Sequence, residues 1–227
     1  MKNYTSESLK ICASAEGPFD TNMYFVVDEA QSRFIAVDVP PGAGEKLANF
    51  AKRNAFALEA ILLTHGHWDH NAGIAAALAK CGKDIPVFAH EDGRDFCEKP
   101  EKFAPLFQAA VPGLSDDDFP PFALSRPTND NDAFTLLGRE WRAFHVPGHC
   151  PGSLAFYCAA EKIVFTGDVL FAGSVGRSDL QGGDFRVLEK SIREKLYVLP
   201  NDVKVFPGHG PATTIEDEKA SNAFVRE

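Results

Sequence analysis

Several things are scarce in this chain of 227 residues. No stretch approaches the ~18 consecutive apolar residues that a membrane-spanning helix needs, so a membrane protein of that kind is excluded. Runs of basic residues are missing. Lys and Arg total 23 against 32 Asp and Glu, for a formal net charge of −9. A phosphate backbone calls for clustered cations, so the balance argues against nucleic acid as the main partner. Cysteine is sparse and odd in number: Cys12, Cys81, Cys97, Cys150 and Cys158, with no Cys-x-x-Cys pair. That usage fits reduced, mostly buried thiols better than a disulfide framework. The opening Met1–Glu7 has no apolar signal-peptide core, so a soluble cytoplasmic protein is expected. No internal repeat is visible.

What is present is globular. Hydrophobic residues make up 44% and charged residues 24%, which rules out a disordered chain. The length allows one large domain or two small ones. Tyr24–Val27 and Phe34–Val37 read as strands around a polar turn, and Gly44–Asn54 reads as a helix. Ala60–Leu63 reads as a strand too apolar to be half exposed. Asn71–Lys80 has helical spacing, and Pro86–Ala89 is a short strand. Further strands are expected at Trp141–Val146, Leu154–Cys158, Ile163–Phe165 and Val203–Phe206. Asp184 reads as the N-cap of a helix whose stripe is Phe185, Leu188, Ile192 and Leu196. Thr213 and Glu216 suggest a capping box for a closing helix to about Phe224. Strands interleaved with helices make the chain α/β. Residues 100–127, rich in proline and acidic residues, read as a long connection with one short helix near 103–110. That connection is either a surface loop or a lid.

Chemistry is concentrated in Thr64-His65-Gly66-His67-Trp68-Asp69-His70. His65 and His67, two apart at a strand end, can point to one side. Asp69 and His70 lie where the chain turns into a helix and can face the same volume. Imidazole and carboxylate suit zinc, iron or manganese. Three His and one Asp in one tight loop would repel and desolvate badly without a cation. Val146-Pro147-Gly148-His149, Phe165-Thr166-Gly167-Asp168 and Phe206-Pro207-Gly208-His209-Gly210 each place a His or Asp after a strand. Such strand ends share a rim in α/β proteins. His145 reads as a packing or supporting residue, His90 as a surface or loop residue, and Trp68 as packing against the metal loop.

The ordered set His-x-His-x-Asp-His, Pro-Gly-His, Gly-Asp, Pro-Gly-His resembles the metallo-β-lactamase superfamily, from Gly17 to about Phe224. Gly167-Asp168-Val169-Leu170-Phe171 and Gly176-Arg177-Ser178-Asp179-Leu180 are similar to the short glyoxalase II-like hydrolases. The resemblance implies a single-domain four-layer αββα sandwich over 1–227 with two divalent metal ions at one edge, zinc being expected and iron or manganese also suited. It implies His65, His67 and His149 around the first ion, Asp69, His70 and His209 around the second, and Asp168 bridging them. Two ions less Asp69, Asp168 and a hydroxide leave a local charge near +1 inside an acidic protein.

The implied activity is hydroxide attack on a thioester such as S-D-lactoylglutathione, with Asp69 orienting the hydroxide and taking its proton. The implied partner is a small anionic thioester, with Arg177 toward the substrate and no nucleic acid or membrane involved. The chain itself is expected to be a monomer or small homo-oligomer. Two departures stand out. Asp179 replaces an aromatic residue of the full-length glyoxalase II enzymes, and their C-terminal glutathione-binding helical domain is expected to have no counterpart. The competing readings are a mononuclear iron persulfide dioxygenase, which shares the Gly176–Asp179 loop, and a lactonase of the same fold. Pro207-Gly208-His209-Gly210 favours the hydrolase.

Overall fold

The structure, a computed structural model, describes residues 1–226. Seven strands form the first sheet in sequential order: β1 (Lys2–Thr5), β2 (Lys10–Glu16), β3 (Thr21–Asp28), β4 (Arg33–Val37), β5 (Ala57–Leu62), β6 (Val87–Ala89) and β7 (Arg126–Pro127). The second sheet contains β8 (Ala133–Leu136), β9 (Arg139–His145), β10 (Leu154–Cys158) and β11 (Ile163–Gly167). The small hairpin of β12 (Leu170–Phe171) and β13 (Ser174–Val175) follows, and β14 (Lys204–Pro207) and β15 (Thr213–Thr214) complete the second sheet. The helices are α1 (Ala43–Asn54), α2 (Trp68–Asn71), α3 (Ile74–Cys81), α4 (Arg94–Glu98), α5 (Ala104–Ala110), α6 (Phe185–Ser191) and α7 (Ile215–Ser221).

The layering follows from side-chain alternation along strands. On β3, Tyr24 and Val26 enter the core between the sheets, while Met23, Phe25 and Val27 face outward against α1 and α3. On β5, Ala60 and Leu62 point inward and Ile61 outward, so both faces are covered, as its uninterrupted apolar run requires. The second sheet repeats the pattern. Phe156, Phe165 and Phe206 pack inward with Trp141, while Ala155, Val164 and Val205 pack outward with Leu188, Ile192 and Leu196. The result is helix, sheet, sheet, helix.

Several sequence expectations shift in detail. The helix at 71–80 is two pieces, α2 and α3, separated at Gly73. A Cβ at Gly73 would lie 2.3 Å from the Pro40 carbonyl oxygen, and one at Gly44 would lie 2.5 Å from the Gly73 carbonyl, so α1 and α3 touch backbone to backbone there. Asp184 caps α6, its carboxylate accepting from the amides of Arg186 and Val187. Phe185, however, lies outside the stripe and is 40% exposed. The last helix is capped by Thr214 accepting from Asp217, and it ends at Ser221. The neighbouring Thr213 hydroxyl is occupied in donating to Glu218. The 100–127 connection packs on the metal loop: Phe107 and Phe119 lie against Trp68, whose Nε1 donates to the Asp118 carbonyl at 2.7 Å.

The end of the sandwich away from the strand-end histidines is closed by charge. Glu161, buried, accepts from Ser6 Oγ, the Ser8 amide and Arg139 Nε at 2.7, 2.8 and 3.1 Å, and Arg139 also pairs with buried Asp28. Burial alone would raise the Glu161 carboxyl, but these donors outweigh it and hold it down at about 2. A depressed carboxyl stabilises the fold above its unfolded pKa of about 4.3 and loses that contribution as pH falls toward 2. Glu161→Gln is therefore expected to cost about 3 kcal/mol at pH 7 in urea unfolding, because Arg139 loses a buried partner. The gap to the parent protein should narrow below about pH 4.

Candidate metal centre

Strand directions gather the site. β4, β5 and β6 are parallel, so Asp38 and His65 leave adjacent strands at one rim. β11 and β14 are parallel, which puts Asp168 and His209 side by side. β9 runs with β11 through antiparallel β10, and its end delivers His149 to the same rim. β3 is antiparallel to β4 and begins there, so residues 19–22 also line the rim.

All seven proposed ligands converge, in two groups. His65 Nε2, His67 Nδ1 and His149 Nε2 lie 3.0–3.3 Å from one another. A tetrahedral ion with ~2.0–2.1 Å bonds spaces its ligand atoms about 3.3 Å apart. The second group is Asp69, His70 and His209: Asp69 Oδ2 lies 3.4 Å from His70 Nε2 and 3.5 Å from His209 Nε2. Asp168 reaches both groups, its Oδ1 3.4 Å from His70 Nε2 and its Oδ2 3.3 Å from His209 Nε2 and 3.8 Å from His149 Nε2. Gly208 makes room for this, since a Cβ there would meet Asp168 Oδ1 at 2.1 Å.

Accounting for donors shows which atoms face the centre. His149 Nδ1 donates to the Arg177 carbonyl at 2.7 Å, and His209 Nδ1 to the Phe19 carbonyl at 3.1 Å. His70 Nδ1 donates to Asp38 Oδ2 at 2.7 Å. His65 Nδ1 donates to Thr64 Oγ1 at 3.2 Å, because that hydroxyl spends its proton on Asp38 Oδ2 at 2.8 Å. Each outer ring nitrogen thus carries a hydrogen, which leaves the inner nitrogen as the one that can face a cation, the arrangement metal-binding imidazoles adopt. Among the described residues, His70 Nε2 and Asp168 Oδ1 are buried with no hydrogen-bond partner. Lone pairs facing carboxylate oxygens repel unless a cation or proton lies between them, so this donor set fits metal ions.

Proton affinities follow the same division. Burial, then the neighbouring His70, His67 and His149, push His65 well below the usual imidazole range. His67 is driven down to about 3 by burial and His149. Burial acts the same way on His70, but Asp69, Asp168 and Asp38 outweigh it and hold its imidazolium well above that range. His209 rises to about 9 against its burial, through Asp168 and Asp69. Asp69 and Asp168 fall below the carboxylate range in spite of burial, chiefly through His70.

The sequence reading missed Asp38. It accepts from the Thr64 amide, the Thr64 hydroxyl and His70, and those bonds hold it at a left-handed φ of 54°. The available signal was an Asp ending a strand adjacent to the one that ends in His65. Arg177 contributes its backbone carbonyl to His149, while its guanidinium forms a two-pronged pair with Asp179 at 2.8 and 2.9 Å. His90, expected to be a surface or loop hydrogen-bonding residue, does lie in a loop, where its Nδ1 accepts from the Asp92 amide at 3.2 Å, but it is buried and stacks on His145 at 3.9 Å and 7°. Together with Asp92 these rings form another donor cluster, but parallel rings cannot aim their in-plane lone pairs at one point. His145 instead supports the His149 loop, Nε2 donating to the Pro151 carbonyl at 2.6 Å.

A two-sheet sandwich with His and Asp converging at one rim, together with the relatives it matches, places the chain among the metal-dependent hydrolases. The profile of the metallo-β-lactamase superfamily matches residues 17–209, and the chain belongs to that superfamily. It is 35% identical over 208 residues to the hydroxyacylglutathione hydrolase GloC of Haemophilus influenzae, covering 91% of this chain and 93% of that protein. The BLEG-1 B3 metallo-β-lactamase superposes with a TM-score of 0.83 at 34% identity, over 96% of this chain and 100% of that one. TTHA1623 in a di-iron-bound form gives 0.78 at 35% identity, over 94% and 100%. Among the described residues no helix is long and apolar enough to cross a membrane.

Proposed function

We propose that this hydrolase cleaves thioesters, with S-D-lactoylglutathione or another small anionic acyl-thiol as substrate, at a site holding two divalent ions, zinc in the first instance. The observation that carries the reading is the pair of donor groups, His65/His67/His149 and Asp69/His70/His209, meeting at Asp168 with buried atoms left unpartnered. The likeness to GloC supports the substrate class, and the di-iron form of TTHA1623 supports a two-ion site while leaving iron as an alternative metal. Ions held there supply activated water and polarise the substrate carbonyl.

The chain's own residues do the rest. The outer hydrogen bonds of His65, His70, His149 and His209 fix ring orientation before substrate arrives. Asp69, ionised and at the junction with His209, orients the attacking water and takes its proton. The His209 side chain is 26% exposed and marks the open side. Arg177 lies on the loop that holds His149, and its ion pair with Asp179 is exposed and cheap to exchange for a substrate carboxylate. Arg177→Met is expected to raise KM for an anionic thioester about tenfold while kcat stays within about twofold. An unchanged KM would remove Arg177 from the substrate site.

The deciding experiment is hydrolysis of S-D-lactoylglutathione by the purified protein, with elemental analysis of the same sample. Turnover with two metal equivalents supports the reading. One iron per chain with sulfite formed from glutathione persulfide would replace it with the dioxygenase.

A further inference from the structure

The chain segment that enters β3 touches only one half of the metal centre. The Phe19 carbonyl accepts from His209 Nδ1 at 3.1 Å. Thr21 Oγ1 donates to Asp69 Oδ2 at 2.9 Å. The Asn22 amide donates to the Gly208 carbonyl at 2.7 Å, and its side chain donates to the carbonyls of Pro207 and Gly210 at 3.0 and 2.9 Å. The first group is held by other means, the Arg177 carbonyl and the Thr64 hydroxyl.

Thr21 is the member of this brace that bears directly on a ligand atom. It is fully buried. The Asp69 oxygen that accepts its proton is the one facing His70 and His209. Asp69 sits on the single turn of α2, and a carboxylate's two oxygens exchange places by rotation unless a donor fixes one of them. A β-branched donor with a restricted χ1 stops that rotation and keeps one oxygen toward the second group.

We propose that Thr21 is a positioning residue that sets occupancy of the second metal position and leaves the first untouched. The inference rests on the two-ion reading above. Its test is stepwise zinc titration against a chromogenic chelator, comparing parent protein with Thr21→Val, which keeps the shape and deletes the donor, and Thr21→Ser, which keeps the donor.

The second dissociation constant of Thr21→Val should rise about 10–100-fold with the first unchanged, and Thr21→Ser should stay within a few-fold of the parent at both. Equal weakening of both positions in Thr21→Val, or parent-like constants for it, would overturn the proposal. So would loss of the second equivalent in Thr21→Ser, a readout that stands even if the valine variant fails to fold. A parent protein that binds only one equivalent would instead overturn the two-ion reading itself, and with it this proposal.

Discussion

Replacing Asp168 with alanine is expected to remove one metal equivalent and turnover together. Its two oxygens face His70 on one side and His209 and His149 on the other, so its loss strips a donor from both groups. Removing a residue that merely supports a ligand costs about 10–100-fold in affinity or activity. A carboxylate shared by both groups should therefore cost more than about 100-fold in kcat/KM. Elemental analysis and steady-state kinetics on the same preparation provide the check. Full turnover with a single equivalent bound would defeat the two-ion scheme.

The two metal positions should also part company in pH. In protein stripped of metal, His70 and His209 hold protons at neutrality, His209 up to about 9. A cation entering the second group must displace them. His65 and His67 sit far below the usual imidazole range, and His67 titrates only at about 3. A cation entering the first group has no proton to remove from them. Asp69 and Asp168 are depressed and stay ionised.

Folded-state imidazole values that are raised mean competition that grows as pH falls. Each displaced proton weakens apparent binding about tenfold per pH unit. Between pH 8 and pH 6 the second dissociation constant should rise by at least about 100-fold, and the first by no more than a few-fold. Competitive metal titrations in matched buffers measure both, and equal slopes would contradict the assignment of protons.

Much of this was legible in the sequence because it was local. His65 to His70 lie within one loop, so residue type and spacing there pointed to a metal site, while His149, Asp168 and His209, each after a short apolar run, joined the set through the resemblance to the superfamily. Asp184 caps its helix as read, since capping involves only the next three residues. Features fixed by contacts distant in sequence were not legible. β2 is rich in small residues and gains its strand character by pairing with β1 and β3. Asp38 and Thr21 reach the site through hydrogen bonds to partners 26, 32 and 48 positions away. Thr214 rather than Thr213 caps α7 because Glu218 claims the other hydroxyl, a competition invisible to a local motif. The close approach of Val39 and Pro40 to Gly73, which leaves no room for a Cβ, likewise joins segments distant in sequence.

The donors come from both halves of the sandwich: His65, His67, Asp69 and His70 follow a strand of the first sheet, and His149, Asp168 and His209 follow strands of the second. A cation seated among them is a rivet between the two sheets. An ion that binds only the native chain adds about 2.7 kcal/mol when supplied at a hundred times its dissociation constant. Endurance toward heat and protease is therefore tied to the supply of the same ions that serve the chemistry, and a chelator attacks both at once.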